Sequence, residues 1–412
     1  MLQKVKIAIV GAGAAGCFCA VNIAEMSQVF DITVFEANSR PLQKLSLTGG
    51  GRCNITNTFE GVKNLKNVYS RGANLMKKLF YTFDYNNTVE WFENHGVELF
   101  AQPDGRVFPR SENAMQVVDT LLDNMHRLGI RIKTSMRLTG IVRNNSRYLL
   151  SFDNNSIETF DIVIVATGGS NPSFLERFAN MGLAIENPVP SLFTFTIKDK
   201  IFNGLMGVTI DNVTCSLAST KYSAQGSLLV THWGVSGPAV LKLSSFAARY
   251  LNDNKYTSML IINWLSQNED EVRTLLTDYQ RKYPQRQVVS LHPQNITNRL
   301  WAYLIEKCEI LPEKRWCEVS KKSLNRLVST LISDNYKIQG KGHYKEEFVT
   351  CGGVSLSSVD SSSLRAKVAD NLYFAGEVLD IDAVTGGFNL QAAWTTGYTV
   401  ATSVVSPQNN QN

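Results

Sequence analysis

The sequence predicts an α/β protein in which a discontinuous Rossmann-like nucleotide-binding domain is interrupted by a mixed β and helical domain. Three observations predict it. A continuous apolar run, IAIV at 7–10, feeds the glycine turn GAGAAG at 11–16, as a parallel strand covered on both faces feeds a phosphate-binding turn. A second glycine-bearing strand exit, LYFAGEVLDIDAVTGGFNLQ, comes only at 372–391 and leads into a last helix. Between them, from about 190 to 345, the texture changes to short alternating strands and then to Leu-rich helical periodicity.

Composition agrees with this reading. At 412 residues the chain exceeds the usual size of a single core, so two or three domains are expected. An apolar fraction of 44% with 19% charged residues excludes a disordered chain. No apolar run reaches the ~18 residues of a membrane span, so no membrane partner is expected. Lys4 and Lys6 precede the first apolar stretch as in a signal peptide, but three glycines at fixed spacing and a following strand fit a nucleotide fold better. The seven cysteines form neither a CxxC pair nor a His-linked zinc spacing. That pattern suits a reducing, cytoplasmic location and gives no metal site.

Taken in order, 14–27 reads as a small-residue helix and 31–36 as the next strand, a βαβ unit of the expected length. Residues 40–60, rich in Gly, Thr, Asn and Ser, read as a loop. Ser111 is the candidate cap of a helix whose buried stripe is Met115, Val118, Leu122 and Met125. Residues 130–144 and 147–152 read as strands, and 161–169 as a buried strand ending in a glycine pair. Short antiparallel strands fill 192–265. Within them THWGVSGPAVL at 231–241 opens a helix, with Ser236 as cap and Pro238 in the first turn. Residues 268–335 are helical, with Val272, Leu275, Leu276 and Tyr279 in register and Pro284 and Pro312 as punctuation. The expected domains are therefore 1–190 with 345–412, and an insert over 191–344 that is β-rich to 265 and helical over 266–335.

Gly11, Gly13 and Gly16 stand in G-x-G-x-x-G register. The first permits the tight turn, the second lets backbone approach a pyrophosphate, and the third allows close helix–strand packing. The amides of Ala14 and Ala15 open the helix, whose N-terminus attracts phosphate. Glu36 ends the second strand 20 residues after Gly16, where a ribose hydroxyl needs a carboxylate. A carboxylate there repels a 2′-phosphate, so NADP(H) is not expected in this site. In KLSLTGGGRCNITN at 44–57, the glycines Gly50 and Gly51 free backbone amides to face an anion. Lys44 and Arg52 can neutralise phosphate, and Asn54 is a further contact. Cys53 beside Arg52 is a candidate acid or nucleophile with a lowered pKa, although most single cysteines are inert small hydrophobes.

Ala166, Thr167 and Gly168 end a buried strand at the edge where ligands bind. At the far end of the chain, Gly376 and Glu377 close another. Gly386, Gly387 and Phe388 then precede a helix whose N-terminus suits negative charge on a reduced flavin, with Asn389 and Gln391 as polar contacts. A nicotinamide dehydrogenase needs only the first glycine turn. FAD is long enough to need one anchor at its pyrophosphate and another near its ring, so FAD is the expected cofactor. His232 is a candidate proton donor. The net charge of +5 is unevenly placed. Residues 61–78 carry Lys63, Lys66, Arg71, Lys77 and Lys78 with no acid, and 321–345 carry Lys321, Lys322, Arg326, Lys337, Lys341 and Lys345 against Asp334 alone. Solvated surface is the plainer account of both, and a polyanion-binding face the sharper one.

The blocks GAGAAG (11–16), KLSLTGGGRCNITN (44–57), GRVFPRSENA (105–114), ATGG (166–169), THWGVSGPAVL (231–241) and NLYFAGEVLDIDAVTGGFNLQAAW (371–394) resemble, in matching order, the YhiN/BaiN-like FAD-dependent oxidoreductases, which include aminoacetone-oxidase-like flavoproteins. The resemblance implies a two-dinucleotide-binding-domain flavoprotein fold with an inserted β-barrel-like and helical domain. It implies FAD contacts from the glycine turn, Glu36, Lys44 to Asn54, the ATGG strand end and Gly376 to Gln391. It also implies flavin reduction of a conjugated C=C bond, on a small molecule such as a bile-acid precursor or on uridine in ribosomal RNA. An amine oxidase or a flavin-bound RNA-assembly factor are the alternatives. With one glycine fingerprint, NAD(P)H would dock only transiently at the flavin, or oxygen would serve as the acceptor. SSSLRAK at 361–367 departs from the family's TMESK-like stretch.

Overall fold

The computed structural model describes residues 4–169, 171–342 and 349–409. The chain divides into two compact units, Met1–Val189 with Val349–Asn412, and Pro190–Phe348. Lys345 and the expected boundary at 344/345 lie outside the described residues.

The first unit is built on a five-stranded parallel sheet in the order Leu372–Phe374, Ile162–Val165, Val5–Val10, Phe30–Phe35, Arg131–Lys133. IAIV and IVIV are apolar throughout because both faces of these strands are covered, and every one of these residues is buried. The chain runs outward from Val5–Val10 to one side and then restarts on the other at Ile162–Val165, which creates a switch point between them. Ligands of such sheets bind outside the carboxyl ends at that point. A three-stranded antiparallel meander, Leu138–Asn144, Arg147–Phe152 and Ile157–Phe160, lies on the sheet. Phe152 and Phe160 meet the Phe35 ring at 4.5 and 5.6 Å. The helix Ala14–Met26 packs along the last helix, Phe388–Asn409. A Cβ at Gly397 would stand 2.9 Å from the Ala15 carbonyl oxygen, so glycine permits the close approach.

In the second unit six antiparallel strands run in the order Phe195–Thr196, Gly234–Ser236, Ser223–Thr231, Thr209–Leu217, Thr257–Asn263, Asp334–Gln339. Phe195 bridges Lys341, just past the last strand, which almost closes the sheet on itself. The result is the barrel-like sheet that the family resemblance implied. Helices Pro238–Phe246, Glu269–Lys282, Asn298–Lys307 and Lys321–Ile332 complete the unit, with Trp264, Trp301 and Trp316 fully buried in its core. Among the described residues no helix is long and apolar enough to cross a membrane.

Several local expectations are corrected. The segment expected as a loop at 40–60 contains helical turns over Gln43–Gly51, interrupted at Thr48, Gly49 and Gly50. Asn113, not Ser111, caps the helix Ala114–Arg127 by accepting from the Met115 amide; the Ser111 hydroxyl donates to Gln116 instead. The buried face of that helix runs through Ala114, Val117, Val118, Leu121 and Met125, which leaves Met115 exposed. The run 130–144 is broken at Ser135, which takes a positive φ, into Arg131–Lys133 and Leu138–Asn144. Ser236 ends a strand, and Gly237 (φ +96°) precedes Pro238 as the helix cap.

Candidate functional site

The three fingerprint glycines are held in three different ways. A Cβ on Gly11 would lie 2.4 Å from the Ala166 carbonyl oxygen, and its φ of +108° is one that glycine alone adopts freely. A Cβ on Gly16 would lie 2.0 Å from the Gly11 oxygen, so this glycine seats the helix on the turn. Gly13 meets nothing within 4 Å. Its helix has no side-chain cap, so the first amides at Ala14 and Ala15 lack that capping partner. An open Gly13 beside an uncapped helix N-terminus is the place a pyrophosphate requires.

Glu36 is fixed at the same turn. Its Oε2 accepts from the Ala12 amide at 3.0 Å, and its Oε1 accepts from the amide and side chain of Asn38 at 2.9 and 2.8 Å. Oε2 keeps a second lone pair for a ribose hydroxyl, while Oε1 already accepts twice. These residues fit a dinucleotide, and FAD placed here would supply two-electron redox chemistry at its ring.

The 44–57 segment and the terminal glycine loop are knitted together. Gly49, Gly50 and Gly51 all have positive φ, a run that side-chain-bearing residues avoid. Gly50 and Gly51 meet nothing within 4 Å. The Asn54 side-chain oxygen accepts from the Gly387 amide at 2.9 Å, and the Asn57 side chain donates to the Gly386 oxygen at 2.9 Å. Trp394 in the last helix donates to the Ile55 carbonyl at 2.9 Å. Gln391 is fully buried. Its oxygen accepts from Thr56 and, at 2.9 Å, from Thr88, while its nitrogen donates to Thr395. Asn389 pairs with both backbone groups of Ala383 at 2.9 Å. Expected as cofactor contacts, Gln391 and Asn389 spend their side chains on the scaffold. Phe388 packs its ring on Phe59 and accepts from the Tyr69 hydroxyl through its carbonyl.

The strand ends converge as well. Ala375 donates to Val165, and a Cβ on Gly376 would press to 2.8 Å from the Ala15 methyl. Gly168 and Gly169 lie beside Glu377, whose carboxylate accepts from the Thr350 amide at 2.7 Å and lies 4.0 Å from Lys44 Nζ. Thr350 carries no sequence signal of this role. Arg52 stacks over Phe108 at 4.4 Å and pairs with Glu112 at 3.2 Å. Gly11 through Gly16, Glu36, Lys44 through Asn54, Ala166 through Gly168, Gly376, Glu377 and Gly386 through Gln391 thus all belong to the first unit.

The two candidate acids differ. Cys53 is fully buried with a φ of +60°, and burial pushes its thiol up to about 12 despite a hydrogen bond from Thr48. The lowered pKa expected from Arg52 is absent, because that guanidinium turns to Phe108 and Glu112. His232 belongs to the second unit, is exposed, and meets Trp233 edge-on at 4.4 Å.

A family model described as "HI0933-like protein Rossmann domain" matches residues 5–403. The chain is 24% identical to "Ribosomal RNA dihydrouridine synthase" of Escherichia coli (strain K12), over 99% of this chain and 100% of that protein. It is 27% identical to the protein of the same name from Haemophilus influenzae, over 98% and 99%. It is 26% identical to "3-dehydro-bile acid delta(4,6)-reductase" of Clostridium scindens, over 95% and 97%. Among solved structures it shares the fold of a 3-ketosteroid delta1-dehydrogenase from Sterolibacterium denitrificans (TM-score 0.51, 10% identity, 98% of this chain and 100% of that one). The chain belongs to the HI0933-like family of Rossmann-domain flavoproteins, and with it to the FAD-dependent oxidoreductases.

Proposed function

We propose that this chain saturates an activated C=C bond in the cytoplasm, with uridine in ribosomal RNA as its substrate and dihydrouridine as its product. The observation that carries this is the near-full-length similarity to two ribosomal RNA dihydrouridine synthases. The bile-acid reductase among the relatives supports a common reaction, because both names describe reduction of a C=C bond. In uridine the C5=C6 bond is conjugated to a carbonyl, so hydride enters at C6 and a proton at C5. FAD held in this unit would supply the hydride chemistry, with NAD(P)H as the transient source of the two electrons.

The residues divide this work. The open Gly13 and the amides of Ala14 and Ala15 would bind the pyrophosphate. Glu36 would hold the ribose. The Gly386–Gly387 turn, pinned by Asn54 and Asn57, would meet the ring. Of the two candidate proton donors, His232 is exposed and Cys53 is closed to solvent, so His232 is the one put to the test. Two measurements test the reading. Ribosomal RNA from a strain lacking the gene should lose one dihydrouridine by mass spectrometry, and complementation should restore it. His232→Gln should slow turnover without lowering FAD content. An unchanged RNA profile would favour the second reading, a small ring enone, for which the bile-acid reductase is the supporting relative.

A further inference from the structure

The basic stretch 61–78 is not uniform surface. Arg71 is spent internally, where it pairs with the buried carboxylate of Asp382. Lys78 donates to Ser361 and Ser362, both at 2.8 Å, and feels Asp360. Lys63, Lys66 and Lys77 are exposed and have no ion pair among the described residues. Lys66 lies on the turn Leu65–Asn67, which packs against the helix Ala73–Leu79 that carries Lys77. Just past the helix that carries Lys77, Tyr81 is 86% exposed, so its ring is offered to solvent.

The same segment is built into the wall of the candidate site. Its strand Tyr69–Arg71 pairs with Asp382–Ala383, and Val384 donates to the Val68 carbonyl at 2.8 Å. Those residues run directly into the Gly386–Gly387 turn, and Tyr69 donates to the Phe388 carbonyl. A phosphate chain held on the outer side of this segment would therefore lie next to the ring end of the cofactor site. Unpaired lysines bind phosphate at any sequence, and an exposed aromatic stacks on a base.

We propose that Lys63, Lys66, Lys77 and Tyr81 form the surface that docks the RNA substrate, the lysines on phosphates and the Tyr81 ring on an unpaired base. This rests on the proposed RNA reading. The test compares the FAD-loaded wild-type protein with the triple variant Lys63→Gln/Lys66→Gln/Lys77→Gln and with Tyr81→Ala. A control triple, Lys321→Gln/Lys322→Gln/Lys337→Gln, removes equal charge from the second unit. The probe is ribosomal RNA lacking dihydrouridine, bound across a salt series. The first triple should bind more than tenfold more weakly at physiological salt. Its log affinity against log salt should flatten by about 2, from three contacts at about 0.7 each. Tyr81→Ala should weaken binding with no change of slope, and the control should behave as wild type. Wild-type binding that the triple and Tyr81→Ala retain would overturn this surface while leaving the RNA reading intact. No binding by the wild-type protein would overturn both.

Discussion

Cys53 and His95 show how much a side chain's chemistry depends on what surrounds it. Of seven cysteines only Cys317 is exposed. Native protein should therefore show one rapidly reacting thiol with an aromatic disulfide reagent, and seven in denaturant. Cys53→Ser should keep its flavin and turn over within about twofold of wild type; loss of turnover with full flavin would put the thiol back into the reaction. His95 stacks on Trp91 at 3.7 Å and bonds Glu25 at 3.1 Å. Burial pulls the imidazole pKa down, but Glu25 and the Trp91 carbonyl outweigh it and leave it raised. The hydrogen bond from His95 lowers the Glu25 carboxyl. The histidine's contribution is complete below its unfolded pKa and lost as pH rises through the raised folded one. The glutamate's is complete above its unfolded pKa and lost as pH falls through the lowered folded one. The pair thus stabilises most between about 4.3 and about 6.5. His95→Gln should lower the melting temperature clearly near pH 6 and little near pH 9. The buried thiol matches the plainer reading of Cys53 as an inert small hydrophobe, whereas the His95–Glu25 pair was not legible in the sequence because Glu25 lies on another helix.

At the scale of elements, the glycine turn separates fold from binding. Gly16→Val would drive a side chain into the Gly11 carbonyl and should abolish soluble protein. A Cβ at Gly13 meets nothing within 4 Å, so Gly13→Ala should fold normally yet bind FAD at least tenfold more weakly, about 1.4 kcal/mol, by flavin titration. Equal flavin affinity in that variant would remove the pyrophosphate from this turn. The Gln391 clasp makes a different prediction. Gln391→Leu removes a buried amide from three threonines and should cost about 1–3 kcal/mol in denaturant unfolding. The spacing of glycines and the all-apolar strands were readable because each reports a local constraint. Gln391 was read as a cofactor contact because its partners, Thr56 and Thr88, come from over 300 residues earlier. The cap at Asn113 was missed for a smaller reason, since Ser111 and Asn113 are both good caps and packing decides between them.

For the whole molecule, the parallel sheet brings Val5–Val10, from the start of the chain, and Leu372–Phe374, from its end, into one sheet whose carboxyl edge carries both glycine-bearing strand exits. That much followed from two strand exits with glycines far apart in sequence. The near-closed antiparallel sheet of the second unit did not follow from periodicity, which gave short strands without their pairing order. It came through resemblance, and the Phe195–Lys341 bridge accounts for it. The substrate is the property least legible in either unit, because exposed groups such as Lys63 and Tyr81 answer to no core constraint. The most direct test of the account is an anaerobic reaction of the FAD-loaded protein with NAD(P)H and ribosomal RNA lacking dihydrouridine. The account predicts bleaching of the flavin by the nicotinamide, reoxidation on adding RNA, and a gain of two hydrogens on one uridine. Flavin that is bleached by a small amine but not by NADH or NADPH, with the RNA unchanged, would contradict it.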